Sequence, residues 1–282
     1  MKLPGFLWIL LLYSNCLANK IDDLKTIEDV YHFLVKNVDK KFKKNFPLDE
    51  NSKNEDTAAY ARNKFFKVDI DNNHLTDLVL YGYTNFLIVL DNGSNHYTVR
   101  NLDRGSFSLD LVSLVSIDTS GLQKKIIVQE SQLPRERLDT LVYKFNNFIE
   151  YNSNPPANFN IDSISFKTSP CFGTCPIFEM SINKKREVTY KAINFNDETG
   201  EFHGTIPRAE FDELLSILKY LQPDRLEDNY SVSWTDDQTA TTTINYNGRT
   251  KSITDYGEIG TFGLSLLYSK FFIWRSTIGW AE

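Results

Sequence analysis

The chain has 282 residues, 41% of them hydrophobic and 24% charged, with a formal net charge of -6. That is the composition of a folded globular protein, and the length suggests about two domains. Basic residues are dispersed, and the densest run, Lys40-Lys41 with Lys43-Lys44, reads as the solvated face of one helix, so nucleic acid is not an expected partner.

Met1 and Lys2 precede the apolar run Leu3 to Tyr13, the pattern of a secretory signal. The run falls short of the roughly 20 apolar residues a spanning helix needs, and no later segment reaches that length. The expectation is therefore an exported protein without a transmembrane span after signal removal. Its place is the periplasm, the outer-membrane surface or the medium. Cleavage after Ala18 would make residues 1–18 the signal. The alternative is a lipoprotein signal ending before Cys16, with Cys16 acylated, although Tyr13 and Asn15 match a lipobox only loosely. Both choices remove Cys16 from pairing and leave Cys171 and Cys175 alone together.

The first domain spans residues 20–151. Thr26 is placed to cap a helix carrying Ile27, Tyr31, Leu34 and Val38 at helical spacing. Short β-rich runs follow at 67–70, 78–81, 86–90, 96–100, 111–117 and 125–128. Asp91-Asn92-Gly93-Ser94 supplies a hairpin turn between two of them. A further helix is predicted from Pro134, with Leu138, Leu141, Val142, Phe145, Phe148 and Ile149 on one face. Residues 152–158, polar and proline-rich, read as a linker.

The second domain spans residues 159–282. Ile161–Lys167 is a strand leading into the cysteine loop. Ile177–Ile182 and Glu187–Ala192 form a hairpin, as do Thr239–Tyr246 and Thr250–Thr254 across Asn247-Gly248. A helix from Pro207 presents Phe211, Leu214, Leu215 and Leu218 and is stopped by Pro223; another is expected from Gly260 to Trp274. Strands then helix, twice over, define an α+β class: two domains, each an antiparallel sheet packed with helices.

Two constellations carry chemistry. In SPCFGTCPIF, Cys171 and Cys175 sit four apart, and an even pair in an exported chain reads first as a disulfide. CFGTCP is also similar to the CxxxCP motif of thioredoxin-fold copper metallochaperones, which implies thiol-redox or copper handling through both sulfurs and a distant histidine. Here the residues after Pro176 alternate like a strand, and the sole downstream histidine, His203, falls on an apparent loop. Structural zinc requires four ligands, and this set falls short. The second constellation is Asp69, Asp71, Asn73 and Asp77, at positions one, three, five and nine of a calcium-type loop, where alternate oxygen side chains face a hard cation. VDIDNNHLTDLVLYG resembles a single integrin-like calcium loop of the FG-GAP type, with Asn72 and His74 at the two glycine positions. Both tolerate left-handed backbone better than most residues. Calcium is thus the candidate cofactor.

The second domain also resembles a bacterial envelope family of unknown function, marked by CFGTCP, a PxFxMxI strand, Tyr190, Tyr230 with Thr235-Asp236, Asn247-Gly248 and Trp280. The resemblance implies export and an α+β fold and supplies no activity. Asp236-Asp237 has no matched acid or base partner and reads as a turn. The function expected is a non-catalytic binding or structural module, its partner an envelope protein, peptide or glycan.

Overall fold

The computed structural model describes residues 19–45, 64–82, 85–104, 112–131, 136–156 and 158–280. Residues 1–18, read as a signal, and with them Cys16, lie outside the described residues.

Two four-stranded antiparallel meanders come first. One holds β1 (Lys64–Val68), β2 (Asp77–Gly82), β3 (Asn85–Asp91) and β4 (Tyr97–Asn101). The next holds β5 (Val112–Asp118), β6 (Lys125–Glu130), β7 (Arg137–Lys144) and β8 (Asn147–Glu150). A seven-stranded sheet follows, from β9 (Ile161–Thr168), β10 (Ile177–Asn183), β11 (Glu187–Asn194), β12 (Gly200–Thr205), β13 (Asn229–Ser231), β14 (Thr239–Tyr246) and β15 (Arg249–Tyr256). Its order is β12-β11-β10-β9-β14-β15-β13. The expectation of a purely antiparallel sheet needs one correction: β13 pairs parallel to β15 at the edge. The chain reaches that edge after a helix and a turn, not through a hairpin, and so its direction is not forced to reverse.

The helices are α1 (Ile27–Phe33), α2 (Phe42–Asn45), α3 (Arg208–Leu221) and α4 (Phe262–Thr277). Thr26 closes a capping box on α1: its hydroxyl accepts from Asp29 N while the Asp29 carboxylate accepts from Thr26 N. Pro207 stands immediately before α3, and Gln222, in a left-handed conformation before Pro223, ends it.

Packing arranges these parts as consecutive layers. Val30, Tyr31, Phe33 and Leu34 cover Leu78, Leu80, Leu87 and Val89 on one face of the first meander. The other face, Val79, Phe86, Ile88 and Leu90, meets Ile126, Val128, Leu141 and Phe148 of the second meander. The far side of that meander, Val142 and Ile149, packs on Ile217, Tyr220 and Leu266 of α3 and α4. The opposite faces of the two helices lie on the seven-stranded sheet, where Phe271 stacks on Phe166 with centroids 4.8 Å apart. Each such aromatic pair adds about 1 kcal/mol beyond its burial.

Double-sided burial together with a turn lacking glycine or proline accounts for the main misreading. From Arg137 onward, the segment expected as a helix forms the β7–β8 hairpin, turning on Phe145 and Asn146, both at positive φ. Leu141 and Phe148 point into one layer and Val142 and Ile149 into the next, so adjacent apolar residues are all buried. A strand covered on both faces loses its period of two, and its apolar positions then mimic a helical stripe. His203, expected on a loop, lies on strand β12, exposed.

The segment read as a linker is fastened down. Asn152 N donates to the Tyr220 hydroxyl and Asn152 Nδ2 to Tyr220 O, while Gln222 Nε2 donates to Pro155 O. The N-terminus of α4 is closed from the second meander, where the Glu150 carboxylate accepts from Phe262 N and Gly263 N. An acceptor with full negative charge suits unpaired amides at the positive end of a helix dipole. Among the described residues no helix is long and apolar enough to cross a membrane.

Candidate functional site

The aspartate loop joins β1 to β2. Strand pairing between Val68 and Asp77 brings the loop ends together, so residues 69 to 76 fold back on themselves. Asn72 and His74 have φ of 62° and 72°, left-handed at the two positions where the resembling loops carry glycine. The turn lets Asp69 accept from Asn73 N and His74 N, at 3.0 and 3.1 Å. Asp77, fully buried, accepts from Ile70 N and Asp91 N, both at 2.8 Å. Carboxylate oxygens of Asp69, Asp71 and Asp77 gather within 4.8 Å of one another. Asn73 is differently engaged: its amide oxygen accepts from Leu75 N and its amide nitrogen donates to Asp71 and to Asp91 O. Burial pushes Asp77 up to about 7 and raises Asp71, with the neighbouring carboxylate adding to each. A cluster so built is short of positive charge.

The turn in the same place on the second meander, between β5 and β6, is instructive. There Lys124 Nζ donates to Thr119 O and Gly121 O, at 3.2 and 3.1 Å. An ammonium supplies that turn with positive charge, whereas the first turn has carboxylates in its place.

The cysteine loop joins β9 to β10. The two sulfurs lie at bonding distance, 1.87 Å, with Cα atoms 5.9 Å apart. Its flanks are fixed by side chains that sequence reading left out. Gln238, buried, donates to Ser169 O and Pro176 O at 2.8 and 2.9 Å, bracketing the loop at both ends. The Thr168 hydroxyl donates to Pro176 O and accepts from Phe178 N, and Phe172 N donates to Asp236 O. The side chain of Phe172 is left 88% exposed at the tip. Asp236 and Asp237 belong to the turn before β14, where Asp237 accepts from Trp234 Nε1 and Gln238 N. No sequence signal singles out Gln238, because its partners lie more than 60 positions away.

A third cluster joins the halves. Glu130, buried, is held by Arg104 at 3.0 Å and Arg137 at 2.6 Å, and Arg137 also pairs with Asp139 at 2.6 Å. Arg104 donates onward to Ser265 of α4, and Arg137 to Gly260 O. These pairs orient the turn before α4 against the second meander.

A domain of unknown function, DUF6438, is found at residues 162–272. It runs from β9 into α4 and so takes in the cysteine loop, the seven-stranded sheet and both helices that cover it. No curated protein and no solved structure matches this chain.

Proposed function

We propose that this is an exported, non-catalytic binding module of the bacterial envelope. Its contact point is the Cys171–Cys175 loop, and calcium at Asp69, Asp71 and Asp77 stiffens the meander that carries the other end of the molecule. The observation that carries the reading is Phe172: a fully presented aromatic on a loop whose two flanks are bridged by Gln238, Thr168 and the sulfur pair. Exposed aromatic surface costs hydration free energy, and holding it rigid reduces the ordering cost of association. An envelope protein, peptide or glycan is the class of partner. Retention of the exported protein on isolated envelope fractions, compared between wild type and Phe172→Ala, tests it; equal retention refutes the loop as contact point.

The same loop tests the thiol-redox or copper alternative. Under the binding reading, the sulfur pair resists glutathione and the purified protein yields no titratable thiol without strong reductant. Ready reduction with a low thiol pKa would favour redox chemistry instead.

Three gathered carboxylates and a turn of the right spacing support calcium at the aspartate loop. Calcium added to chelator-treated protein is expected to raise Tm, and Asp71→Asn to remove most of that rise. No shift at millimolar calcium would retire the ion.

A further inference from the structure

Four side-chain oxygens converge between the seven-stranded sheet and α4 from four different elements: Thr242 of β14, Asp255 of β15, Glu258 of the turn after it, and Tyr268 of α4. Ala240 and Asp255 are cross-strand partners, as are Thr242 and Ile253, which places Thr242 diagonally beside Asp255 on the helix-facing side. Thr242 and Asp255 are fully buried and Tyr268 is 2% exposed. Glu258 is directed inward by a left-handed backbone, φ 60°, and its carbonyl is held by the Ser265 hydroxyl. Thr242 Oγ1, Asp255 Oδ1, Glu258 Oε1 and Tyr268 OH are all without a well-formed hydrogen bond among the described residues. The Tyr268 hydroxyl faces Asp255 and Thr242 at hydrogen-bonding range, although none of these contacts has good geometry. Asp255 Oδ2 alone is satisfied, by Gly260 N at 2.7 Å.

Poorly satisfied oxygens at this depth are costly, and the single Tyr268 proton cannot serve Asp255 and Thr242 together, so the four oxygens call for a shared partner. The charge balance states its sign. Arg104 and Arg137 are matched by Glu130 and Asp139, while the other charged group acting on Glu258 is Asp237, a further carboxylate. Arg104 also reaches Asp255, but its charge is already matched by Glu130, so Asp255 and Glu258 together bring net negative charge to the site. We propose that Thr242, Asp255, Glu258 and Tyr268 form a buried site for a hard, oxygen-ligated cation of the sodium or calcium class. Two carboxylates and two hydroxyls are the donors such ions take. The site lies in the DUF6438 segment, apart from the aspartate loop, and does not depend on calcium binding there.

The experiment uses the full exported chain with the aspartate loop disabled by Asp69→Asn and Asp71→Asn. After chelation, that protein is melted in choline buffer with increasing Na+ or Ca2+, and Tb3+ emission is read on excitation of tyrosine. The expected result is a Tm that climbs with the logarithm of one cation's concentration, together with Tb3+ emission largely lost in Tyr268→Phe. Both responses should shrink in Glu258→Gln and in Thr242→Val, the latter a shape-conserving change that keeps the fold testable. A Tm indifferent to both Na+ and Ca2+ overturns the proposal. So does a cation response that Glu258→Gln and Thr242→Val leave intact.

Discussion

Glu258 sits in an environment far from that of the unfolded chain. Burial, then the charges of Asp255 and Asp237, push its carboxyl up from 4.5 to about 7. A raised folded pKa means that the native state holds the proton after the unfolded state has lost it. Stability associated with this group is therefore complete below about 4.5 and drains away as pH rises through about 7. In cation-free buffer, Glu258→Gln is expected to stabilise the protein at pH 8 by on the order of 2 kcal/mol and to change little at pH 4.5. Urea titrations at the two pH values check this, and equal effects at both would contradict it. Gly260 makes a second residue-scale case. A Cβ there would come within 2.6 Å of the Tyr230 ring and 2.7 Å of the Asp255 carboxylate. Gly260→Ala should cost about 1–3 kcal/mol through overpacking at the turn, measurable as a lowered urea midpoint.

At the scale of elements, α4 and the two meanders show how far local sequence reaches. Helix α4 is buried on two sides, Leu264 and Phe271 toward the sheet and Leu266 toward the second meander. Its existence was readable from apolar density, and its caps only in part. Thr261 caps Leu264 N locally, but the carboxylate on Phe262 and Gly263 comes from Glu150. Glu150→Gln is expected to lose about 1 kcal/mol, since the geometry of a cap survives while its full charge goes; an unchanged Tm would show that Glu150 is incidental to α4. Strands β2 and β3 were legible because Asp77–Gly82 and Asn85–Asp91 are short apolar runs bounded by turns. Strands β7 and β8 were not: they serve layers on both sides, as β2 and β3 do, but their turn at Phe145-Asn146 carries no glycine or proline to break the apolar run. Of the candidate sites, the aspartates and cysteines announced themselves by spacing. Gln238 and Tyr268 did not, since what matters about them is a partner on another strand.

For the molecule as a whole, the layers share their helices. Ile217, Tyr220 and Leu266 cover the second meander while Phe211, Leu214, Leu267 and Phe271 cover the seven-stranded sheet. Val232, Ile259 and Phe262 also enter the core between the meanders. Unfolding one half would strip apolar cover from the other, so a single cooperative transition is expected. The chain is well placed to test this: beyond Trp8, its tryptophans are Trp234, Trp274 and Trp280, all in the second half. Tryptophan fluorescence and far-UV circular dichroism should then give coincident urea curves. A fluorescence transition separated from the dichroism transition would mean that the halves melt independently.

The amino-acid sequence by itself determined what depends on neighbours along the chain: the capping box at Thr26, the hairpin turns at Asn92-Gly93 and Asn247-Gly248, the α3 boundaries between Pro207 and Pro223, the paired cysteines and the aspartate spacing. Those features rest on backbone conformation and short-range hydrogen bonding, which a few residues specify. The tertiary structure alone decided which strands are covered twice, which charges meet at Glu130, and which oxygens meet beside Asp255. Burial and charge balance are properties of groups brought together from distant positions, and only the packed chain sets their sum.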